Sequence, residues 1–214
     1  MDELERAIDR VSSGAPYLVE VVGEPGVGKS ALLAELARRA VGRGCLVLDG
    51  RAAEFERNIP FGLIVDALND YAGTLEPSVI RALDEDALAE LASILPSLSA
   101  HATAKTKRRP EAERYRIHYA IRALLERLAA RQPVLLSLDD AHWADPASLE
   151  VIAHLLRRFR GPLLGAVATR HAPRQVATAL ESAARVGSGV RLELQPLTEQ
   201  QARELIDPGL DTAT

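Results

Sequence analysis

Eight consecutive residues near the amino terminus have the composition and spacing of a phosphate-binding loop. They are Gly23-Glu24-Pro25-Gly26-Val27-Gly28-Lys29-Ser30, which fits the pattern G-x-x-x-x-G-K-[ST]. The glycines let backbone N–H groups converge on phosphate oxygens, because no Cβ stands in the way. The lysine of this pattern reaches the outer phosphates, and the serine hydroxyl ligates Mg²⁺. Counting Ala31, which follows, residues 23–31 are predicted to hold phosphate groups.

The residues on both sides of this loop support the same interpretation. Residues 17–22 form a short apolar run rich in strand-forming residues, and residues 31–37 are strong helix formers. A strand, a glycine-rich loop and a helix are the context that the motif requires, and phosphate charge would sit at the positive end of that helix. A chance glycine-rich turn is the alternative, and the flanking elements disfavour it.

Two acidic residues follow a second apolar run. Asp139 and Asp140 come directly after residues 134–138, which read as a buried strand. In Mg²⁺-dependent hydrolysis a first carboxylate holds the metal, directly or through water, and a second orients or deprotonates the attacking water. An acidic turn is the alternative, but a phosphate-binding loop earlier in the chain favours the functional interpretation. We expect Asp139 to be the metal ligand and Asp140 to be the acid that acts on water.

Three further residues, Arg170, His142 and Trp143, follow the ends of predicted strands. Arg170 follows the apolar residues 163–168 and could reach a γ-phosphate, although a surface arginine is the alternative. Trp143 is expected to be a packing anchor, with a platform for the base as the alternative. His142 pairs with no nucleophile in the sequence and is expected to have a structural or signalling role.

The composition indicates a globular protein. The chain has 214 residues, of which 47% are apolar and 26% charged, so it suits one domain with a sizeable core. A net charge of −4 gives no electrostatic reason to expect direct nucleic-acid contact. No run of 18 apolar residues and no secretory signal occur, so we expect a cytoplasmic protein without membrane contact.

Strands and helices alternate along the chain, which predicts an α/β fold with a mainly parallel five-stranded sheet between two helical layers. Loops after parallel strands meet at one edge, so residues 23–30, 139–145 and 169–173 should lie together. The polar residues 99–110 are expected to form a loop. The expected strands are residues 17–22, 45–48, 134–138, 163–168 and 190–194. The expected helices are residues 2–12, 31–42, pieces of 61–95, and 110–130. Two more helices are expected to begin at Asp145-Pro146 and at Thr198, the second of them short.

These features together resemble the ATPase domain of large ATP-binding LuxR-type and MalT-like regulators, which belong to the STAND class of AAA-related P-loop NTPases. The resemblance spans roughly residues 2–206, and residues 139–149 are its most specific part. Shorter matches are Ile59-Pro60-Phe61-Gly62, Glu113-Arg114-Tyr115-Arg116 and Leu194-Gln195-Pro196-Leu197-Thr198.

The resemblance implies a three-layer αβα P-loop NTPase that binds ATP and Mg²⁺. It implies phosphate contacts from Gly26, Gly28 and Lys29, and Mg²⁺ at Ser30 and Asp139. It further implies that Asp140 acts on water and that Arg170 senses the γ-phosphate. With Lys29, these last two make up the expected catalytic set.

Members of the family also carry segments that residues 1–214 are not expected to include. A Gly-Arg-Glu-type segment near the adenine precedes their first helix, and a winged-helix lid, a repeat region and often a DNA-binding helix-turn-helix follow the ATPase core. We therefore expect residues 1–206 to be the ATPase core and residues 207–214 a tail. The lid and effector domains of a longer regulator would be its partners, beside ATP and ADP.

The function expected from the sequence is slow ATP hydrolysis as a conformational switch in a signal-transducing, transcription-regulating ATPase. One alternative is a small-molecule kinase, which needs an acceptor pocket and an arginine-rich lid; residues 105–116 are the segment that hints at one. Another is a nucleotide-binding module without turnover. A GTPase is disfavoured, because Thr106-Lys107-Arg108-Arg109 lacks the aspartate of the N/T-K-x-D base-reading segment.

Overall fold

The computed structural model describes residues 2–101, 110–170, 177–178, 181, 185 and 187–198. Seven α-helices and five strands have described bounds. Residues 177–178, 181 and 185 are helical as well. The helices are α1 (Asp2–Ser12), α2 (Lys29–Gly42), α3 (Gly62–Ala72), α4 (Pro77–Arg81), α5 (Glu85–Ile94), α6 (Pro110–Ala129) and α7 (Pro146–Arg158). The strands are β1 (Tyr17–Val22), β2 (Leu46–Arg51), β3 (Val134–Asp139), β4 (Leu163–Thr169) and β5 (Gly189–Glu193).

The five strands form one sheet in the order β2-β3-β4-β1-β5, and every pair of neighbours is parallel. This confirms the predicted three-layer αβα fold. Because β4 separates β1 from β3, the glycine-rich loop and the two acids do not follow adjacent strands. All five strands nevertheless end at the same edge, where Val22 is in register with Thr169 and Arg51 with Asp139.

The sheet has an apolar core on each face. On one face, α1 and α2 pack against β1, β3 and β4 through side chains such as Leu33, Leu36 and Leu135. On the other, helices α3 to α7 pack against the sheet through a larger cluster that includes Ile64, Ile121 and Ile152. Strand β3 is buried along its whole length, as an apolar strand covered on both faces must be.

Strand β2 is longer than the sequence pattern predicted. It was expected over residues 45–48 but runs from Leu46 to Arg51. The difference arises from Asp49-Gly50, a dipeptide that is typical of turns but here continues the strand. A Cβ on Gly50 would lie 2.8 Å from the Leu63 carbonyl oxygen and 2.8 Å from the Ala67 Cβ, so glycine is needed for α3 to pack closely on β2.

The remaining boundaries agree with prediction to within a few residues, apart from a break between α4 and α5 that the sequence pattern did not show. Three predictions lie partly or wholly outside the described residues: the loop at 99–110, the helix and tail after Thr198, and the part of the 169–173 loop beyond Arg170. Among the described helices, none is both long and apolar enough to cross a membrane.

Helix α7 begins with a buried cap that also ties it to α3. Asp145, only 2% exposed, precedes Pro146 as the sequence predicted, and its Oδ1 accepts a hydrogen bond from the Ser148 backbone N–H at 3.0 Å. The same oxygen accepts the backbone N–H of Phe61 at 2.8 Å, just before α3. One carboxylate therefore fixes the starts of two helices on the same side of the sheet.

We predict that Asp145→Ala lowers the free energy of unfolding by about 2–4 kcal/mol, because it removes a helix cap and leaves a buried N–H without a partner. The matched control is Asp84→Ala. Asp84 caps α5 through the Ala87 N–H alone, so a loss of about 1 kcal/mol is expected. Urea unfolding followed by circular dichroism measures both variants, and equal losses would show that the link between α3 and α7 contributes nothing.

Candidate nucleotide-binding site

The glycine-rich loop leaves β1 with the backbone conformation that its sequence predicts. Gly26 and Gly28 have φ angles of 78° and 102°, in the left-handed region that favours glycine. Gly23 is required for a different reason: a Cβ there would lie 2.8 Å from the Val27 Cγ1 and 3.0 Å from the Leu194 carbonyl oxygen. The start of the loop at Gly23 is thus tightly packed, whereas Gly26 and Gly28 are exposed.

Lys29 occupies a different position from the one expected. The sequence pattern predicts a loop over residues 23–30 and a helix from residue 31, but Lys29 is the first residue of α2 and is only 7% exposed. Its ammonium donates hydrogen bonds to the carbonyl oxygens of Gly23 and Glu24, both at 2.9 Å. The charge is therefore held against the backbone of the loop, by the neutral carbonyl groups of two of its residues.

Ser30 and Asp139 are 109 positions apart in the sequence and in direct contact. The Ser30 hydroxyl donates to the Asp139 Oδ2 at 2.6 Å, while the Asp139 Oδ1 accepts the Asp140 backbone N–H at 2.8 Å. A hydroxyl beside a carboxylate supplies the oxygen ligands that Mg²⁺ prefers. The donor set at this contact therefore fits the metal that the sequence predicted here.

Asp140, the expected catalytic acid, is held by an arginine. The Arg51 guanidinium donates from Nε at 3.0 Å and from a terminal nitrogen at 2.9 Å to the Asp140 Oδ2. Asp140 also has the left-handed backbone angles φ 52° and ψ 34°, which are uncommon for a residue with a side chain. The hydrogen bond to Asp140 and the charges of Asp140 and Asp139 raise the pKa of Arg51 above its ordinary value.

Sequence reasoning missed Arg51, because β2 was expected to end before it. The signal that could have found it is the register of parallel strands: extending β2 by three residues places Arg51 beside Asp139. Its backbone N–H donates to the Asp66 Oδ2 of α3 at 2.7 Å. Arg51 therefore connects the helix that covers β2 with the acid that follows β3.

The other predicted residues lie around the same edge. The Thr169 carbonyl accepts the Gly23 N–H at 3.3 Å, which puts the end of β4 beside the glycine-rich loop, and the next residue, Arg170, has an exposed side chain. Trp143 packs against the core, and the Arg57 guanidinium lies 5.4 Å from the centre of its ring. The predicted strand-end residues are therefore close neighbours in space, as expected.

A parallel αβα sheet with a glycine-rich loop after one strand and paired acids after another defines a P-loop NTPase. Residues 1–166 match the family model described as AAA ATPase domain, and the chain belongs to that family. It is therefore a nucleotide-binding ATPase domain, of a kind that usually uses Mg²⁺.

Known proteins resemble the chain at low identity. An uncharacterized protein from Rhizobium meliloti (strain 1021) is 27% identical over 217 residues, which cover 91% of this chain and 20% of that protein. This chain thus spans about a fifth of the length of that curated relative.

Among solved structures, one of Drosophila ORC bound to GC-rich DNA and Cdc6 matches at 11% identity and a TM-score of 0.42, covering 100% of this chain and 67% of the other. Another, a structure of Drosophila ORC bound to DNA, matches at 14% identity and a TM-score of 0.38, and the match covers 94% of this chain and 96% of the other.

We predict that Lys29→Ala weakens nucleotide binding by roughly ten- to hundredfold, because a charge-assisted contact to phosphate is lost. Alanine is a strong helix former, so α2 should remain folded. Titration with a fluorescent ATP analogue, with circular dichroism alongside, measures both effects.

The control is Arg38→Ala on the same helix, whose side chain is 69% exposed and pairs with Glu35. It should leave affinity unchanged. If Lys29→Ala binds as tightly as the wild type, the ammonium does not contact phosphate.

Proposed function

We propose that this chain is the nucleotide-binding core of a signal-transducing, transcription-regulating ATPase of the LuxR-type and MalT-like class, which binds Mg²⁺–ATP and hydrolyses it slowly. The observation that carries the proposal is the 2.6 Å contact between Ser30 and Asp139, which joins the glycine-rich loop to the acids after β3. The family supports nucleotide hydrolysis in general. The sequence resemblance supports the regulatory class.

In this proposal the glycine-rich loop binds the phosphates. Its residues are Gly23, Glu24, Pro25, Gly26, Val27, Gly28, Lys29, Ser30 and Ala31. Lys29 gives up its carbonyl partners for phosphate oxygens, which compensate its charge better than neutral carbonyls do. Ser30 and Asp139 hold Mg²⁺, which when bound neutralises negative charge that develops on the phosphates. Arg170, exposed at the end of β4, reaches for the γ-phosphate and so distinguishes ATP from ADP.

Asp140 orients the attacking water and accepts its proton, and its pairing with Arg51 supports the idea that turnover is slow. While both guanidinium hydrogen bonds are made, the Asp140 Oδ2 has a cation in place of water. The Arg51 side chain is 68% exposed, and ion pairs of this kind contribute only about 0.2–1 kcal/mol. The pair can therefore exchange for water readily, and it limits the rate without preventing turnover.

A conformational switch requires an element that takes different positions with ATP and with ADP. A ligand shifts the equilibrium between two conformations only by the difference in its affinity for them. We propose that the lid and effector domains of a longer regulator supply this element. The match to only 20% of the length of the Rhizobium meliloti protein is compatible with an ATPase core that works inside a longer chain.

We predict that Asp140→Asn and Arg51→Ala change turnover in opposite directions while ATP still binds. The amide cannot accept a proton, so phosphate release should fall by roughly 10²–10⁴-fold. Loss of the Arg51 guanidinium leaves Asp140 free to bind water, so phosphate release should rise. The rise should be at most about fivefold, because an exposed ion pair is worth no more than about 1 kcal/mol.

Phosphate release is measured at saturating Mg²⁺–ATP, and Asp49→Asn is the control on β2, with an exposed side chain that the proposal leaves unused. Wild-type turnover in Asp140→Asn would exclude Asp140 as the catalytic acid. A fall in Arg51→Ala would mean that Arg51 assists the reaction and does not restrain it.

A further inference from the structure

A cleft of about 760 Å³ opens beside the nucleotide site, between the start of α3 and helices α5, α6 and α7. Its volume lies in the range of small-molecule sites, roughly 300–1,000 Å³. None of the residues that line it belongs to the glycine-rich loop or to the acids after β3. Its apolar lining comes mainly from Ile59, Pro60, Phe61, Val65, Ile94 and Ile117.

Among the described residues that line the cleft, two side chains are acidic and one is basic. Glu56 and Asp66 line it, and within the described ranges neither carboxylate has a cationic side chain at ion-pair distance. The cation that also lines the cleft, Arg114, has a terminal nitrogen 3.7 Å from the Glu150 Oε1, so its charge already faces a carboxylate. The cleft therefore offers negative charge beside an apolar wall, which complements a cation attached to an apolar body.

One of these carboxylates is connected to the catalytic acid. The Asp66 Oδ2 accepts the Arg51 backbone N–H at 2.7 Å, and the Arg51 side chain holds Asp140. A cation that binds at Asp66 would draw negative charge away from the oxygen that accepts this N–H, and so weaken the hydrogen bond to Arg51. It would thereby act on the residue that restrains Asp140.

We propose that this cleft is an effector site for a small amphipathic amine, a molecule with a protonated amino group on an apolar, ring-sized body. The amino group binds the carboxylate of Asp66, in a cleft that Glu56 also lines, and the apolar body lies against Ile59 and its neighbours. Binding at Asp66 shifts Arg51 and alters the rate of ATP hydrolysis. This last step rests on the proposed function, whereas the binding step does not.

Three probes with the same ring and different charge test the site: tryptamine, tryptophol and indole-3-acetate. Calorimetric titration of the protein without nucleotide should show tryptamine binding up to about fivefold more tightly than tryptophol, because an ion pair with an exposed carboxylate is added. Indole-3-acetate should bind more weakly than either. Saturating tryptamine should also change phosphate release from Mg²⁺–ATP.

Asp66→Asn should remove the preference for tryptamine and its effect on phosphate release. The amide oxygen can still accept the Arg51 N–H, so the fold should be kept, which circular dichroism checks. Asp70→Asn is the matched control, because Asp70 is exposed one turn further along α3 and does not line the cleft. It should behave as the wild type.

The proposal is overturned if no probe binds, if the three probes bind equally, or if Asp66→Asn keeps the preference for the amine. Tryptamine binding without any change in phosphate release would overturn the effector role. Because binding is measured without nucleotide, a protein that fails to hydrolyse ATP would still give a decisive binding result.

Discussion

The contact between Ser30 and Asp139 is the constraint on which the rest of the structure depends. The two residues follow strands that are not neighbours, since β4 lies between β1 and β3. Ser30 can reach Asp139 only if α2 packs on the face of the sheet near β3. It does so, because Leu33 and Leu36 of α2 share an apolar cluster with Leu135 of β3. The core on that face therefore positions the hydroxyl and the carboxylate within 2.6 Å of each other.

Burying charged groups at this edge costs free energy unless each has partners. Lys29 and Asp139 are 7% and 8% exposed, and their hydrogen bonds come from groups within the two loops. Carbonyl oxygens surround the ammonium, while a hydroxyl and a backbone N–H bind the carboxylate. These hydrogen bonds offset part of the cost of burying the two charges.

Much of this arrangement could be predicted from the sequence, because its signals are local. The glycine-rich pattern, the apolar run ending at Asp139 and the cap at Asp145 each occupy a few adjacent residues. Parallel strands then bring their ends to one edge, so the meeting of Ser30 with Asp139 follows from the fold class. The assignment of individual catalytic roles to Lys29, Asp140 and Arg170 remains a prediction.

The parts that could not be predicted depend on contacts between distant segments. Asp49-Gly50 has the composition of a turn, and only the close packing of α3 shows why glycine is needed inside a strand. Because the sequence pattern ended β2 at residue 48, neither the place of Arg51 nor its contacts with Asp140 and Asp66 could be predicted. The burial of Lys29 was likewise missed, because the pattern of the loop does not show how tightly it curves around the ammonium.

The most direct test of the central claim, that Ser30 and Asp139 hold one Mg²⁺ ion, is a double-mutant cycle on ATP affinity measured by calorimetry with and without Mg²⁺. Ser30→Ala and Asp139→Asn should each reduce the gain in affinity that Mg²⁺ provides. The double variant should lose less than the sum of the two single losses, by about 0.5 kcal/mol or more, because residues that share one ligand are coupled. Losses that add, or affinities that do not depend on Mg²⁺, would contradict the account.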